Sequence, residues 1–265
     1  MRLIEVKKLL EQKGLDAFLF SSQANVFYLS SFRSTNAYVV LTGKSQHLLT
    51  DGRYYQRAKE VLLDWDVRLI GQGTFKYLKA FLREMGAKKV GYEKDRVSCE
   101  FKEKLRTKGV RWVGFSGFLK GIRVIKNHDE IRLMKEGVEK SDLIYKRLLD
   151  FIKPGITELE VRGFITAEIF KEGGLGESFP AIVAYGEGSA VPHWETSQRS
   201  IEHGKNLLID MGLLWKGYCT DFTRTIFVGK ASDGFKRVYQ VVKDAYYFAL
   251  EKVKVGNAIG DVDKV

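Results

Sequence analysis

Two aspartates, Asp210 and Asp221, are spaced so that they could act together on a metal ion. The apolar runs 206–211 and 220–228 predict two strands. If these strands form an antiparallel hairpin that turns at residues 215–216, the two aspartates lie directly opposite each other on one face. Their carboxylates would then repel each other, and a divalent ion such as Mn²⁺ or Mg²⁺ would remove the repulsion. If the turn lies elsewhere, they are two solvated acids at strand ends, and spacing alone leaves both interpretations open.

A third candidate, His193, lies in the segment 186–194, where two glycines and one proline precede the histidine. Such residues predict a loop. An imidazole on a loop can donate to a substrate carbonyl or stabilise developing negative charge. The alternative is a surface or packing histidine, and it is the interpretation we adopt for His47, His128 and His203.

The first 120 residues alternate short apolar runs with amphipathic helices, a pattern that predicts an α/β domain. Residues 1–15 predict an amphipathic helix and not a signal peptide, because six charged side chains interrupt any apolar stretch. The other elements predicted there are helices at 52–63 and 74–84, and strands at 17–20, 37–41, 47–50, 67–70 and 89–92.

The pattern changes near Arg123, and two capping-box sequences follow. Asn127 with Glu130, and Thr157 with Glu160, each predict the start of a helix. The predicted domains are therefore residues 1–123 and 124–265. The elements predicted in the second domain are helices at 127–151, 157–173 and 235–253, and strands at 181–185, 206–211 and 220–228.

Composition excludes several classes of protein. The formal net charge is +11, but the 44 Lys and Arg are scattered among 33 acidic residues without a nucleic-acid-binding motif, so nucleic acid is disfavoured as a partner. Cys99 and Cys219, the two cysteines, form neither a disulfide framework nor a zinc pattern, which favours a reducing, cytoplasmic setting. No apolar run approaches the length of a membrane span.

Residues 179–229 resemble the metallopeptidase family with the pita-bread fold, which includes methionine aminopeptidase, aminopeptidase P and prolidase. The family pattern is a His, an Asp 17 residues later and a second Asp 11 residues after that, and it is matched here by His193, Asp210 and Asp221. Segments 22–29, 49–54 and 123–126 resemble the N-terminal domain of the aminopeptidase P and prolidase branch, which methionine aminopeptidases lack. The resemblance covers nearly the whole chain and favours that branch.

The resemblance implies a fold and a reaction. It implies a creatinase-like α/β domain, with a mixed sheet and flanking helices, followed by an α+β pita-bread domain that is truncated. Asp210 would bind one of two metal ions and Asp221 would bridge both, while His193 would contact the substrate or stabilise the tetrahedral intermediate. A water molecule held between the metals would attack the peptide bond before a proline. Mn²⁺ is the expected metal, with Co²⁺ or Zn²⁺ as alternatives.

The chain departs from the family pattern after Asp221. The pattern requires a His and two Glu further on, and the 44 residues that follow contain no histidine. We therefore expect this chain to be a piece of a longer protein, to bind metal weakly or not at all, and to lack peptidase activity by itself. Xaa-Pro peptides and a second copy of the chain, in a homodimer, are the expected partners.

Two other functions stay open at this point. The chain could be a catalytically inactive pita-bread module that binds protein or nucleic acid, or a creatinase-like C–N hydrolase that does not use the metals. The intact Asp210 and Asp221 argue against both. Whether the enzyme accepts only dipeptides, like prolidase, or longer peptides, like aminopeptidase P, depends on loops that the sequence does not define.

Overall fold

The computed structural model describes residues 2–264, which divide between Lys126 and Asn127 into two units. The predicted domain boundary lies three residues earlier, between 123 and 124. Each unit has its own sheet and its own hydrophobic core. In the described residues no helix is both long and apolar enough to cross a membrane.

The first unit is built on a six-stranded mixed sheet with the order β4-β3-β2-β1-β5-β6. Strands β1, β2 and β3 pair antiparallel, whereas the β3–β4, β1–β5 and β5–β6 pairs are parallel. The strands are β1 (Ala17–Phe20), β2 (Ala37–Thr42), β3 (Gln46–Thr50), β4 (Asp66–Leu69), β5 (Lys89–Glu93) and β6 (Arg111–Phe115). The helices are α1 (Arg2–Gln12), α2 (Gln23–Ser30), α3 (Gly52–Val61), α4 (Thr74–Glu84), α5 (Cys99–Leu105) and α6 (Lys120–Val124).

The central strand β1 explains why helices cover both faces of this sheet. All four of its residues are buried, and alternate side chains point to opposite faces. Phe18 and Phe20 pack with residues of α1, α2 and α3, while Ala17 and Leu19 pack with residues of α4 and α5. A sheet buried on both faces needs such continuous apolar strands. The predicted mixed sheet with flanking helices is confirmed for this unit.

The second unit places two helices against a three-stranded antiparallel sheet with the order β11-β8-β7. Both predicted capping boxes are present, at Asn127 with Glu130 and at Thr157 with Glu160. The helices are α7 (His128–Phe151), α8 (Glu158–Lys171), α9 (Asp233–Lys252) and α10 (Ile259–Asp263). The strands are β7 (Ile182–Tyr185), β8 (Lys205–Met211), β9 (Leu214–Trp215), β10 (Tyr218–Cys219) and β11 (Phe222–Val228).

Strand β8 separates the core of this unit from the candidate site. Leu207, Ile209 and Met211 are fully buried and pack with residues of α7 and α8. Because side chains alternate along a strand, Asp210 points to the opposite face of the sheet. One face of β8 therefore packs in the core, and the other face, with Asn206, Leu208 and Asp210, is only partly buried.

Candidate active site

The hairpin that carries the two aspartates has a different register from the predicted one. Asp210 pairs with Thr223, and Trp215 pairs with Tyr218, so the turn lies at residues 216–217. The predicted turn at 215–216 was one residue too early, and the prediction that the aspartates face each other directly was wrong. Lys216 and Gly217 both have positive φ (45° and 92°), as a two-residue type I′ turn requires. Glycine adopts such a φ without strain, so the Lys-Gly pair was the available sequence signal.

The two aspartates nevertheless lie on the same face of the sheet. Asp221 precedes Thr223 by two residues, and side chains two apart on an extended strand point the same way. Asp221 is therefore a diagonal neighbour of Asp210, a separation of roughly 7–8 Å between Cα atoms in a regular ladder. Both side chains line a single cavity of about 570 Å³, and His193 lines it as well. The structure thus brings the three candidate residues to one place.

The two carboxylates differ in exposure and in partners. Asp210 is half-buried, and its Oδ1 accepts a hydrogen bond of 2.8 Å from the hydroxyl of Thr223. Asp221 is exposed and is not hydrogen-bonded to any other residue in the range 2–264. The hydrogen bond from Thr223 thus orients the Asp210 carboxylate, whereas the Asp221 carboxylate lines the cavity without a hydrogen bond from another residue in the range 2–264.

The backbone before Asp221 is held by Thr220, which is 7% exposed. Its amide donates to the carbonyl of Leu213 (3.0 Å), and its carbonyl accepts from the Ser178 hydroxyl (2.8 Å). Its own hydroxyl accepts from the Leu213 amide (2.9 Å) and bonds the Ser141 hydroxyl (2.7 Å). Asp221 therefore follows a residue whose polar groups are all hydrogen-bonded, and this fixes the backbone from which its side chain extends.

Two glycines permit this close packing around Thr220. A Cβ atom at Gly212 would overlap the Thr220 carbonyl oxygen, which is backbone and cannot rotate away. A Cβ atom at Gly137, in α7, would lie 3.0 Å from the Thr220 methyl group. Glycine at 212 is thus required by the hairpin itself, and glycine at 137 lets the helix approach it.

The remaining walls of the cavity are largely aromatic and apolar, with a few polar side chains. Phe179, Ile182 and Trp194 line it together with Arg162, Glu195 and Thr196. Such walls with a few polar groups are typical of sites for small ligands. The Arg162 guanidinium donates to Glu177 (2.9 Å); burial raises the pKa of Glu177, but hydrogen bonds from Arg162 and Thr166 outweigh this and lower it. Arg162 and Glu177 were not identified from the sequence, because nothing in their spacing indicates that they meet.

The donor set tests whether the residues present suit a metal ion. Carboxylate oxygens are suitable ligands for Mn²⁺ and related divalent ions, so Asp210 and Asp221 fit such a group chemically. Within the described part of the chain, however, no group of three or more His, Cys, Asp or Glu side chains is arranged to hold a metal. The two aspartates therefore supply part of a ligand set.

Comparison with known proteins defines the class. The profile of metallopeptidase family M24 matches residues 132–265, and that of the creatinase/prolidase N-terminal domain matches residues 2–125. The chain therefore belongs to metallopeptidase family M24, a family of hydrolases, and carries a creatinase/prolidase N-terminal domain. The predicted family resemblance and enzyme class are confirmed.

Individual relatives fit the same family. An Xaa-Pro dipeptidase of Pyrococcus horikoshii is 29% identical over 98% of this chain and 74% of its own length. The structure of an Xaa-Pro dipeptidase from Bacillus anthracis aligns with a TM-score of 0.88 at 30% identity, over 96% of this chain and 72% of that one. An X-Pro aminopeptidase from Thermotoga maritima gives a TM-score of 0.86 at 29% identity, over 93% and 72%.

Proposed function

We propose that this chain belongs to a metal-dependent exopeptidase that hydrolyses the peptide bond before proline. The observation that carries the proposal is that His193, Asp210 and Asp221 line one cavity in a chain of family M24. Relatives named Xaa-Pro dipeptidase and X-Pro aminopeptidase support the choice of substrate class. The aromatic and apolar walls suit a small peptide with a proline ring.

Each of the three residues has a proposed role. Asp210 and Asp221 hold divalent metal, for which Mn²⁺ is the first choice and Co²⁺ or Zn²⁺ are alternatives. When bound, the metal supplies Lewis acidity and lowers the pKa of a water molecule. His193, exposed at the edge of the cavity, donates a hydrogen bond to the substrate carbonyl and stabilises the charge that develops there. A homodimer stays a prediction.

The metal step is tested by titrating Mn²⁺ into the 265-residue chain and into three variants. We expect weak binding by the unaltered chain, because two carboxylates make an incomplete ligand set. Asp210→Asn and Asp221→Asn should abolish it. Asp150→Asn, which alters an exposed acid of α7 outside the cavity, should leave it unchanged. Calorimetry measures the binding, and equal affinity in all four proteins would refute the assignment of the ligands.

The substrate step uses the metal-loaded chain and an Ala-Pro dipeptide, with Ala-Ala as control. We expect Ala-Pro, and not Ala-Ala, to shift NMR signals of residues that line the cavity, including the Trp194 indole. We expect no hydrolysis by the 265-residue chain, since two carboxylates cannot hold a pair of metal ions in place of the family's five ligands. Hydrolysis that Asp221→Ala abolishes would contradict the second expectation, and equal shifts with both peptides would count against proline recognition.

A further inference from the structure

A buried carboxylate beside the cavity has no part in the roles described so far. Glu158, the first residue of α8, is 0% exposed. Its Oε1 accepts a hydrogen bond from the Tyr185 amide (2.8 Å). Its Oε2 accepts from the Trp194 indole, the Ser197 amide and the Ser197 hydroxyl, each at 3.0 Å.

All four donors belong to the segment that carries His193. Tyr185 ends the strand before this segment, Trp194 is the next residue after His193, and Ser197 follows three residues later. The partners are 27 to 39 residues away from Glu158 in sequence, so helix formation alone does not bring them together. One carboxylate therefore fastens both ends of the segment to the start of α8.

The cost of burying this group indicates a specific requirement for it. An ionised carboxylate removed from water is strongly unfavourable unless it is paired or fully hydrogen-bonded. Glu158 forms no salt bridge within residues 2–264, so four neutral donors and the positive end of the α8 dipole provide the compensation. Glutamine cannot substitute, because its NH₂ group would face either the Tyr185 amide or the donors at Trp194 and Ser197.

His193 depends on its neighbours for its position. Its side chain is exposed and makes no hydrogen bond to any other described residue. The ring of Trp194 packs on Gly188, where a Cβ atom would lie 2.8 Å from the ring. The Thr196 hydroxyl accepts from the Val183 amide at 2.9 Å. The segment is thus fixed on either side of His193, with the hydrogen bonds of Glu158 at the centre of the arrangement.

We propose that Glu158 is a positioning residue, whose buried carboxylate fixes the Tyr185–Ser197 segment and thereby holds the His193 imidazole at the cavity. The catalytic consequence rests on the function proposed for His193, whereas the positioning itself does not. Loss of Glu158 should free the segment while α8 and the sheet remain formed.

The test compares Glu158→Gln with Glu160→Gln in the 265-residue chain by NMR. Glu160 lies in the same helical turn but, among residues 2–264, accepts only from Thr157, at the helix cap, so it controls for damage to the helix start. In Glu158→Gln the His193 imidazole signals should shift, and hydrogen exchange of the Trp194 indole should accelerate at least about ten-fold. In Glu160→Gln both should stay as in the unaltered chain.

The measurement needs neither metal nor peptidase activity, so the positioning role can fail independently of the proposed function. Unchanged His193 and Trp194 signals in Glu158→Gln would overturn it, and so would equal changes in both variants. If Glu158→Gln does not fold, Ser197→Ala removes a single donor from the same carboxylate. That variant should shift the His193 signals and leave those of His128 and His203 in place, and a failure to do so would equally overturn the proposal.

Discussion

At the scale of single residues, the position of Asp221 is decided by its neighbour. Thr220 has partners for its amide, its carbonyl and its hydroxyl, and it is buried between α7 and the hairpin. Asp221 itself is exposed and lacks such partners among residues 2–264. The chemistry proposed for one residue thus depends on the packing of the residue before it.

Thr220→Val tests this dependence. Valine keeps the shape of threonine but leaves the buried Leu213 amide without an acceptor, and it removes the bond to the Ser141 hydroxyl, which keeps its bond to the Gly137 carbonyl. We expect a loss of about 1–3 kcal/mol in the free energy of unfolding, which is the usual cost of an unsatisfied buried donor. Thr220→Ser keeps the hydroxyl and should cost less. Urea denaturation measures both, and an equal loss in the two variants would show that the hydroxyl is unimportant.

At the scale of elements, a network around Glu136 ties α7 to the β9–β10 hairpin. The Glu136 carboxylate accepts from the Trp215 indole (2.9 Å), from Lys216 (3.0 Å) and from Arg132 (2.7 Å). Trp215 and Lys216 belong to the hairpin, and Arg132 belongs to α7. The hydrogen bond from Trp215, followed by those from Lys216 and Arg132, lowers the pKa of Glu136 from 4.5 to about 2.

This shift predicts a pH dependence of stability. Because the pKa is lower in the folded state, the ionised form is the stabilising one, and its contribution is complete above about pH 4.5. It is lost as the pH falls from 4.5 towards 2. Glu136→Gln should therefore be less stable than the unaltered chain at pH 7, and the difference should shrink through that range. Denaturation at several pH values measures it.

The matched control for this prediction is Glu139→Gln, an exposed glutamate of the same helix. It should leave the pH profile of stability unchanged. A difference between Glu136→Gln and the unaltered chain that is constant from pH 7 to pH 2 would show that the network does not act through the charge.

At the scale of the whole molecule, α9 differs from the other long helices because none of its residues is buried. Val238, Val241 and Tyr246 are between 62% and 68% exposed. The Ser232 hydroxyl caps the helix by accepting from the Phe235 amide at 3.2 Å. The stability of α9 in this chain therefore rests on capping and helix propensity more than on burial.

Two Val→Ala substitutions test this contrast. Val241→Ala, in α9, removes methyl groups that lie mostly in solvent and adds a better helix former, so stability should change by no more than about 0.5 kcal/mol. Val161→Ala, in α8, removes methyl groups that are 0% exposed and should cost about 2 kcal/mol. Thermal unfolding followed by circular dichroism compares them. A similar cost at both sites would show that α9 is packed in solution.

Several parts of the fold could be read from local sequence. The capping boxes at Asn127 and Thr157 start α7 and α8 as predicted, because their hydrogen bonds join residues three apart. Strand β6 (Arg111–Phe115) was missed, since its mixed sequence becomes a strand through pairing with β5. Helix α2 was missed as well; the distant Glu93 carboxylate accepts from the Ser21 and Ser22 amides at its start.

The sequence by itself determined the family, the types of most elements and the spacing of His193, Asp210 and Asp221. The tertiary structure decided that Asp210 pairs with Thr223, that the aspartates are diagonal neighbours, and that Glu158 is buried beside the His193 segment. Signals such as capping boxes involve residues only a few positions apart, so they can be recognised from the sequence. The Lys216-Gly217 pair indicated one possible turn, but strand register is fixed only when the strands pair, and burial depends on contacts between distant segments, so both are decided when the chain folds.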